Sequence, residues 1–520
     1  MSKPVETSYG KLAGEEVGGV HVFRGVPFAR PPVGDLRFAP PQPPPRWRGV
    51  REALRAGAAP LQVGAAWMTR MRLDVGGRVD EDCLYLNVYT PGPGKARRPV
   101  LVFLHGGAFL MGAGSTALYD SRRLARRSDL VVVTTNYRLG ALGWAHLGLV
   151  PGSSLPEAVN LGLLDQIAAL EWVRQNIAAF GGDPENVTLC GQSAGAMSAA
   201  ALCTSPQAQP LFRRAILQSA AGSGVIGRDE ATNVARLFLA ELGLKPESAH
   251  ELRGMPSARL LKAQASAWRR TYSPLRLMSF MPVVDGALVP ETPVAALARG
   301  ALRDKELMIG TTREEWKLFS LVDGSLVGMR ENTLVSRIAA LADPRELALP
   351  DAECASHTYR DAVAADGGST DAADVWNAFQ SARVFHHPAS RLAEAQVRAG
   401  GRAFSYLFAW RPPAVGGLIG ACHALELPFV FGWTQIPLVR SLTGLSTTAR
   451  RLSLTMQHAW GSFARSGNPS HEGLPSWPGY EPILRSTMLL SRDARVVDAP
   501  LEAERRLFEQ WSRPGGPGAA

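Results

Sequence analysis

A serine between two glycines stands after a short apolar stretch and before a run of small residues. Gly191-Gln-Ser-Ala-Gly195 follows residues 187–190, which have the composition of a buried strand, and precedes a segment with helical propensity. A strand, a tight turn and a helix in this order are typical of a nucleophile elbow, in which Ser193 sits at the apex and the residues two positions away must be nearly free of side chain. The helix would direct its unpaired N–H groups at the serine. The pattern therefore predicts nucleophilic chemistry at Ser193.

The Gly-x-Ser-x-Gly pattern is weak by itself. Glycine makes up 52 of the 520 residues, and a serine between glycines is often a plain turn. A nucleophilic serine also needs a base that takes its proton, an acid that orients the base, and donors for the developing oxyanion. The chain contains candidates for each of these roles.

Apolar patterning predicts the elements that would position such groups. Residues 99–104 are a continuous apolar run, as expected for a strand covered on both faces, and residues 130–135 indicate another buried strand. Apolar residues recur every three or four positions over 160–180, which indicates an amphipathic helix stopped by Gly181-Gly182. Further strands are predicted at 83–89, 214–219, 306–310 and 402–408. This alternation of strands and helices indicates a parallel or mostly parallel sheet.

Composition describes an ordinary globular protein, with 46% hydrophobic residues and a formal net charge of +10. The arginines are scattered, and no basic stripe with interleaved aromatic residues occurs, so a solvated basic surface is favoured over a nucleic-acid site. No uncharged apolar run reaches the roughly 18 residues of a membrane span, and the first residues lack the apolar core of a secretory signal. A cytoplasmic location without a membrane span is expected.

The five cysteines are far apart and form no Cys-x-x-Cys pair. This spacing favours reduced, mostly buried thiols over a disulfide framework or a zinc site. No metal or cofactor is predicted. The cysteines are Cys83, Cys190, Cys203, Cys354 and Cys422.

Nine sequence blocks occur in order between about Val22 and Trp477, and thus cover nearly the whole chain. They are FRGVPFARPPVGDLRF, EDCLYLNVYTP, VLVFLHGGAF, NYRLGALGW, NLGLLDQIAALEWVRQNIAAFGGDPENVTLCGQSAGA, FMPVVDG, IGTTREEWKLF, HALELPFVFG and FARSGNPS. In this order they resemble the type-B carboxylesterases, the group of bacterial carboxylesterases and p-nitrobenzyl esterases related to the cholinesterases. The resemblance implies an α/β-hydrolase fold and hydrolysis of carboxylic esters through an acyl-enzyme.

The same resemblance implies a catalytic triad. Ser193 in GQSAG corresponds to the nucleophile, and His423 in HALELPFVFG corresponds to the general base. Glu315 in GTTREEW corresponds to the acid, with Glu314 as the alternative if the register slips by one.

The resemblance also implies an oxyanion hole. The backbone N–H groups of Gly106, Gly107 and Ala194 correspond to its donors, and glycines suit this role because bare backbone can lie close to a substrate. Three further polar residues in the blocks are interpreted as supporting the fold or the site rather than reacting. They are Asn160, Asp165 and Glu426.

Two positions depart from the family pattern. Trp316 follows the acid where many relatives have glycine, and its ring would either narrow the substrate pocket or pack outward. Secreted relatives pair the cysteine of the EDCLYLNVYTP block with an upstream cysteine. Cys83 is the first cysteine of this chain, so that bridge cannot form, which suits a cytoplasmic protein.

Several large apolar residues are candidates for the wall of a substrate pocket, and each is an equally good candidate for ordinary core. They are Trp67, Met71, Trp268, Tyr272, Phe280, Met281 and Trp316. An apolar pocket would suit neutral aryl esters or short-to-medium acyl esters. The predicted partner is therefore a small-molecule ester.

The sequence as a whole predicts a single α/β-hydrolase domain over residues 1–512, with a mostly parallel central sheet and helices on both faces. Helical insertions at about 225–300 and 325–395 would cover the active site, and 513–520 would be a disordered tail. A carbamate or amide hydrolase with the same triad is the main alternative. A non-catalytic recognition protein of this fold is disfavoured because the triad is retained. The oligomeric state is left open.

Overall fold

The computed structural model describes residues 3–62, 75, 77–272, 278–342, 347–433, 439–440, 443–444 and 446–511. Trp67, Met71 and the predicted tail 513–520 lie outside the described residues. The chain divides into two compact units. The first unit comprises Met1–Ile216, Gly224–Glu291 and Ala464–Gly467, and the second unit comprises Leu217–Ser223, Thr292–Phe463 and Asn468–Ala520. The prediction of one domain over residues 1–512 stays a prediction.

The strands occur along the whole chain. They are β1 (Val5–Thr7), β2 (Gly10–Ala13), β3 (Glu15–Val17), β4 (Val20–Pro27), β5 (Val50–Glu52), β6 (Ala59–Pro60), β7 (Val79–Asp80), β8 (Tyr85–Thr90), β9 (Gly94–Leu104), β10 (Val131–Thr135), β11 (Phe180–Gln192), β12 (Arg214–Gln218), β13 (Glu306–Thr312), β14 (Arg402–Phe408), β15 (Thr487–Leu490) and β16 (Arg495–Val497).

The α-helices alternate with these strands along the chain. They are α1 (Arg122–Ser128), α2 (Gly140–Trp144), α3 (Leu161–Asn176), α4 (Ala194–Leu202), α5 (Arg228–Glu241), α6 (Ser257–Thr271), α7 (Pro293–Ala298), α8 (Lys317–Asp323), α9 (Glu331–Ala339), α10 (Ala352–Ala365), α11 (Ala372–Ser381), α12 (His387–Arg398), α13 (Leu427–Val430), α14 (Thr447–Ser466) and α15 (Glu502–Trp511). Short 3₁₀ helices lie at Gly34–Leu36, Ala117–Tyr119, Leu147–Leu149, Ile177–Ala179, Gln209–Leu211, Pro246–Gly254 and Ala414–Gly417, and a π-helix lies at Ala382–His386.

The first unit contains a mixed sheet with the strand order β11-β9-β10-β8-β4-β3. Strands β9, β10 and β11 are parallel, with Val100 opposite both Val131 and Val187. Strands β8, β4 and β3 continue the sheet in antiparallel pairs. The apolar half of β9 is buried over 99–104, and every residue of β10 is buried, as predicted for strands covered on both faces.

The second unit has the strand order β16-β15-β14-β13, in which β13, β14 and β15 are parallel and β16 is antiparallel. The chain passes from the first unit to the second within β12. Each unit thus combines parallel strands with antiparallel strands. Among the described residues, no helix combines the length and the apolar character of a membrane span.

One predicted boundary is wrong. The amphipathic helix expected over 160–180 ends as α-helix at Asn176, and strand β11 begins at Phe180 and includes Gly181-Gly182. The glycines therefore lie within an irregular strand. Gly181 adopts φ +82°, and the register of β11 against β9 shifts after Phe180 and again after Gly182. The glycines stop a helix in sequence patterns, but here they allow the bulges that bring β11 into its final register.

Buried polar contacts anchor the first unit. The Asp165 carboxylate on α3 accepts hydrogen bonds from Arg138 Nε at 2.8 Å and Nη2 at 2.7 Å, and both side chains are buried. Asn160 Nδ2 donates to the Val283 carbonyl at 2.9 Å, while Val283 N donates to Asn160 Oδ1 at 3.0 Å.

All five cysteines are free thiols, as the sequence predicts.

Candidate active site

Ser193 occupies the turn between β11 and α4. Its backbone has φ 55° and ψ −125°, a conformation that a non-glycine residue adopts only under strain. Strain of this kind is the mark of a nucleophile elbow, where the turn lifts the serine hydroxyl out of the sheet.

The glycines on either side of Ser193 are required by close backbone contacts. A Cβ at Gly191 would lie 2.2 Å from the Gly195 carbonyl oxygen. A Cβ at Gly195 would lie 2.0 Å from the Leu104 carbonyl oxygen at the end of β9. Both distances are far shorter than a van der Waals contact, so any larger residue would force the turn apart.

Ser193 is also set apart by its exposure. Every residue of 187–205 is buried except Ser193, which is partly exposed. A single reachable serine within a buried strand–turn–helix is what a nucleophile needs, because the surrounding packing fixes its position while a substrate can approach it.

The sheet register brings Gly106 and Gly107, the glycines predicted to form the oxyanion hole, next to the elbow. Gly191 pairs with Leu104 across β11 and β9, so the residues that follow Leu104 continue beside the turn. A Cβ at Gly106 would lie 3.0 Å from the Cβ of Ser193. Gly107 has φ +120°, and a Cβ there would lie 2.1 Å from the Met111 carbonyl oxygen. Ala194, the first residue of α4, is fully buried.

His105 fixes the orientation of the peptide between Gly106 and Gly107. Its Nδ1 lies 2.9 Å from the Gly106 carbonyl oxygen, and a carbonyl only accepts, so Nδ1 carries the proton. Because a peptide is planar and trans, holding the Gly106 carbonyl on His105 turns the Gly107 N–H to the opposite side. Burial lowers the pKa of His105 to about 4, which keeps the ring neutral. The Tyr137 ring stacks on it at 4.4 Å between centroids.

In the second unit, Glu315 and His423 form a close pair. Glu315 Oε2 lies 2.5 Å from His423 Nδ1, and both side chains are buried. The main chains are also joined, since His423 N donates to the Glu315 carbonyl at 3.2 Å. The carboxylate therefore fixes the ring and the tautomer of the histidine, with the proton on Nδ1 and the basic lone pair on Nε2.

Two further donors hold the Glu315 carboxylate. Ser219 Oγ donates to Oε1 at 2.6 Å, and the Thr312 N–H donates to the same oxygen at 2.7 Å. Burial raises the pKa of Glu315, but the charge of His423 and these hydrogen bonds together hold it below its ordinary value. The acid is thus kept ionised without solvent.

Glu314, the alternative acid, faces different partners. Its Oε1 accepts from Arg411 Nε at 2.9 Å, and its Oε2 accepts from the Ala421 N–H at 2.8 Å. The Arg411 side chain is 63% exposed and the Glu314 side chain 11% exposed, so this ion pair lies at the edge of the protein and is separate from His423. The geometry therefore favours the register that makes Glu315 the acid.

Aromatic rings surround His423 within the second unit. The Phe385 ring lies 4.9 Å and the Phe319 ring 5.3 Å from the His423 ring, centroid to centroid. Trp316 is buried and packs on Phe319 at 4.7 Å. The tryptophan that departs from the family pattern is thus part of the apolar cluster beside the base.

Glu426 is a buried carboxyl, and the sequence predicts that it supports the fold or the site rather than reacting. Its Oε1 accepts from Gln218 Nε2 at 3.1 Å, and Gln218 Oε1 accepts in turn from Trp460 Nε1 at 3.0 Å. Burial, with a smaller effect of the Glu315 charge, raises the pKa of Glu426 to about 7.

The candidate pocket residues fall in different places. Phe280 and Met281 are buried in the first unit, where Phe280 packs edge-on against Phe238 and the Met281 carbonyl accepts from His146 Nε2 at 2.8 Å. Trp268 is partly exposed and packs on the half-exposed Tyr272 at 5.2 Å. The assignment of these residues to a substrate pocket stays a prediction.

Sequence reasoning missed three parts of the site: Ser219, Thr312 and Phe385. Ser219 directly follows β12, and Thr312 ends β13. The recoverable signal was their place at the carboxyl ends of strands, where polar residues of α/β sheets meet. Within the described ranges, no group of three or more His, Cys, Asp or Glu side chains has the arrangement of a metal site.

Comparison with known proteins defines the class to which this fold and site belong. The sequence model of the Carboxylesterase family matches residues 1–508. A carboxylesterase of Geobacillus stearothermophilus has a solved structure that is similar with a TM-score of 0.84 at 38% identity, covering 97% of this chain and 99% of that chain. A thermophilic PNB esterase is similar with a TM-score of 0.83 at 35% identity, covering 97% and 99%. The chain therefore has the α/β-hydrolase fold and belongs to the carboxylesterase family.

Two individual enzymes of this family are also similar to the chain over most of its length. A para-nitrobenzyl esterase of Bacillus subtilis is 39% identical over 508 residues, covering 96% of this chain and 97% of that enzyme. A phenmedipham hydrolase of Pseudarthrobacter oxydans is 35% identical over 493 residues, covering 92% and 93%. With this membership, the chain is a carboxylic-ester hydrolase.

Proposed function

We propose that the chain hydrolyses carboxylic esters through an acyl-enzyme on Ser193, with His423 as the general base and Glu315 as the acid. The observation that carries this proposal is the buried Glu315–His423 pair, 2.5 Å apart, in a chain that also holds a strained, partly exposed Ser193 at an elbow. Membership of the carboxylesterase family supports combining the two.

The reaction begins with removal of the serine proton. Nε2 of His423 takes the proton from Ser193 Oγ, which attacks the ester carbonyl carbon. The negative charge that develops on the carbonyl oxygen is stabilised by the N–H groups of Gly106, Gly107 and Ala194. Glu315 stabilises the imidazolium that forms. The alcohol then leaves with the proton from His423, and Ser193 is left acylated.

The second half of the reaction repeats these steps with water. His423 takes a proton from water, which attacks the acyl-enzyme carbonyl, and the same N–H groups hold the oxyanion. The carboxylic acid is released and the proton returns to Ser193. Every proton transfer uses one nitrogen of one histidine, which explains why its tautomer is fixed by a buried carboxylate.

We further propose that the preferred substrates are neutral aryl esters or short-to-medium acyl esters. The apolar candidates Trp268, Phe280, Met281 and Trp316 support this preference, as does the likeness to a para-nitrobenzyl esterase. The same triad can cleave carbamates and amides. Comparing kcat/KM for an aryl ester, an alkyl ester, a carbamate and an anilide would show which bond the enzyme hydrolyses best.

The acyl-enzyme itself can be trapped. The protein is mixed with excess p-nitrophenyl acetate, quenched in acid and measured by intact mass and by peptide mapping. We expect a mass increase equal to one acetyl group, located on the peptide with Ser193 and missing in Ser193→Ala. An acetyl group on another peptide of the parent would contradict the proposal.

We also propose a cytoplasmic location. The five free thiols support it, because cysteines stay reduced in that compartment. Cell fractionation followed by immunodetection tests it, and recovery with a periplasmic or extracellular marker would contradict it.

A further inference from the structure

A π-helical turn packs on His423 and is hydrogen-bonded to Thr312, a residue that donates to Glu315. This turn, Ala382–His386, connects α11 to α12. The ring of Phe385 packs on the His423 ring at 4.9 Å. The next residue, His386, has its Nε2 2.9 Å from the Thr312 carbonyl oxygen. π-Helical turns are rare and often lie at functional sites. This turn is therefore a candidate for a role in the site.

A proline explains why the helix winds in this way. Pro388 has no N–H, and in an α-helix its ring would crowd the carbonyl of Val384, four residues earlier. The Val384 carbonyl accepts instead from the Gly222 N–H at 2.7 Å. Gly222 belongs to the segment 217–223, which also carries Ser219. The turn therefore holds in place the segment that carries Ser219, whose hydroxyl donates to Glu315.

His386 holds Thr312, the second residue that donates to the carboxylate. A carbonyl only accepts, so His386 Nε2 donates the proton to the Thr312 carbonyl. The Thr312 N–H donates to Glu315 Oε1 at 2.7 Å. Both peptide groups of Thr312 are thus held, one by His386 and one by the acid. A displaced Thr312 would move the donor that aligns the carboxylate.

We propose that His386 is a positioning residue for Glu315, acting through the backbone of Thr312. This inference rests on the proposed function, in which Glu315 is the acid. His386 does not touch the substrate. Its effect is to keep the carboxylate in the geometry that orients His423, and small errors in such geometry are costly in rate.

The neighbouring histidine supplies a matched control. His386 and His387 both line a cavity of about 60 Å³ in the second unit. His387 contacts Phe508 at 6.1 Å between ring centroids, and its Nε2 has no hydrogen-bond partner among the described residues. A substitution at His387 therefore perturbs the same cavity without touching Thr312.

The test compares His386→Met, which removes the donor, with His386→Gln, which keeps an N–H donor of similar reach. His386→Met is expected to lower kcat by about tenfold to a hundredfold with KM within about twofold of the parent. His386→Gln is expected to recover most of the loss, and His387→Met to stay within about twofold of the parent. If His386→Met does not fold, His386→Phe takes its place as a ring without a donor. A kcat of the donor-less variant equal to that of the parent, or equal losses in the Gln and Met variants, overturns the inference.

A double-variant cycle separates positioning from general stabilisation. In a Glu315→Gln background, His386→Met is expected to cause no further loss of kcat, because the group it positions has been removed. An undiminished further loss would mean that His386 acts elsewhere and would overturn the inference. If Glu315→Gln itself retains parental activity, the proposed function fails first. If Glu315→Gln is inactive while His386→Met is normal, only the positioning role fails.

Discussion

Glu315 and His423 are joined twice, by a side-chain contact of 2.5 Å and by a main-chain hydrogen bond of 3.2 Å. Their spacing does not depend on two free side chains finding each other, because the backbone already holds the two loops together. Such an arrangement keeps the histidine in one tautomer, as the proposed role of its other nitrogen as the general base requires. The consequences can be tested one residue at a time.

Replacing the buried acid should be far more harmful than replacing its neighbour. Glu315→Gln keeps the shape but loses the charge that stabilises the imidazolium, and kcat on an aryl ester should fall by about ten-thousandfold. Glu314→Gln removes the charge of a carboxylate whose partner Arg411 is largely exposed, and activity should stay within about fivefold of the parent because ion pairs with a solvated partner are worth about 1 kcal/mol or less. Equal losses in both variants would contradict the assigned register.

Ser219 should contribute through its hydrogen bond to the acid. Ser219→Ala removes a donor to a buried carboxylate, and kcat should fall by about tenfold to a hundredfold with little change in KM. Ser320→Ala is the control, since Ser320 is a buried serine of the second unit whose hydroxyl has no hydrogen-bond partner among the described residues. Steady-state kinetics on purified variants decide the matter, and a Ser219→Ala enzyme as active as the control would refute the role.

Gly107 should be intolerant of a side chain. A Cβ there would lie 2.1 Å from the Met111 carbonyl oxygen and would displace the peptide that carries the oxyanion donor. Gly107→Ala is expected to lower kcat by about a hundredfold or more, the usual effect of losing one donor. Gly254→Ala is the matched control, because a Cβ at Gly254 meets no atom within 4 Å. Parental kcat in Gly107→Ala would exclude this glycine from the oxyanion hole.

His146 should make the stability of the protein depend on pH. Its Nδ1 accepts from the Asn160 N–H at 3.1 Å and its Nε2 donates to the Met281 carbonyl at 2.8 Å, so the ring must be neutral. Burial lowers the pKa of His146 to about 4, from 6.5 in an exposed ring. A depressed histidine pKa means that its contribution is complete above pH 6.5 and is lost as the pH falls toward 4, by up to about 3 kcal/mol.

The variant His146→Gln isolates this contribution. Glutamine can accept and donate but does not titrate, so the difference in free energy of unfolding between parent and variant should narrow as the pH falls from 6.5 to 4. Urea unfolding at several pH values measures it. A difference that stays constant over this interval would show that the ring does not remain neutral in the fold.

Much of the fold could be predicted because its causes are local. The apolar residues of β9 and β10 reflect the burial of a strand on both of its faces. The apolar periodicity of α3 reflects the burial of a helix on one face. The wrong boundary at Gly181-Gly182 shows where this logic stops. Local sequence indicates that a helix cannot continue there, but the bulged strand that follows depends on pairing with β9, which is a long-range contact.

The site divides in the same way. The resemblance to the family pointed to Ser193, Glu315 and His423 as the triad. The roles of these residues are predictions that the variants test. Ser219 and Thr312 escaped notice because each contributes one hydrogen bond that exists only once β12, β13 and the acid are assembled. The burial of Trp316 against Phe319 likewise depends on the fold, since the sequence allowed either an inward or an outward ring.

The most direct test of the central claim is the hydrolysis of p-nitrophenyl butyrate by the parent and by Ser193→Ala, with both proteins shown to be folded. We expect turnover by the parent and a loss on the order of a millionfold in the variant, which leaves it at background. Equal turnover by the two proteins would contradict the assignment of Ser193 as the nucleophile.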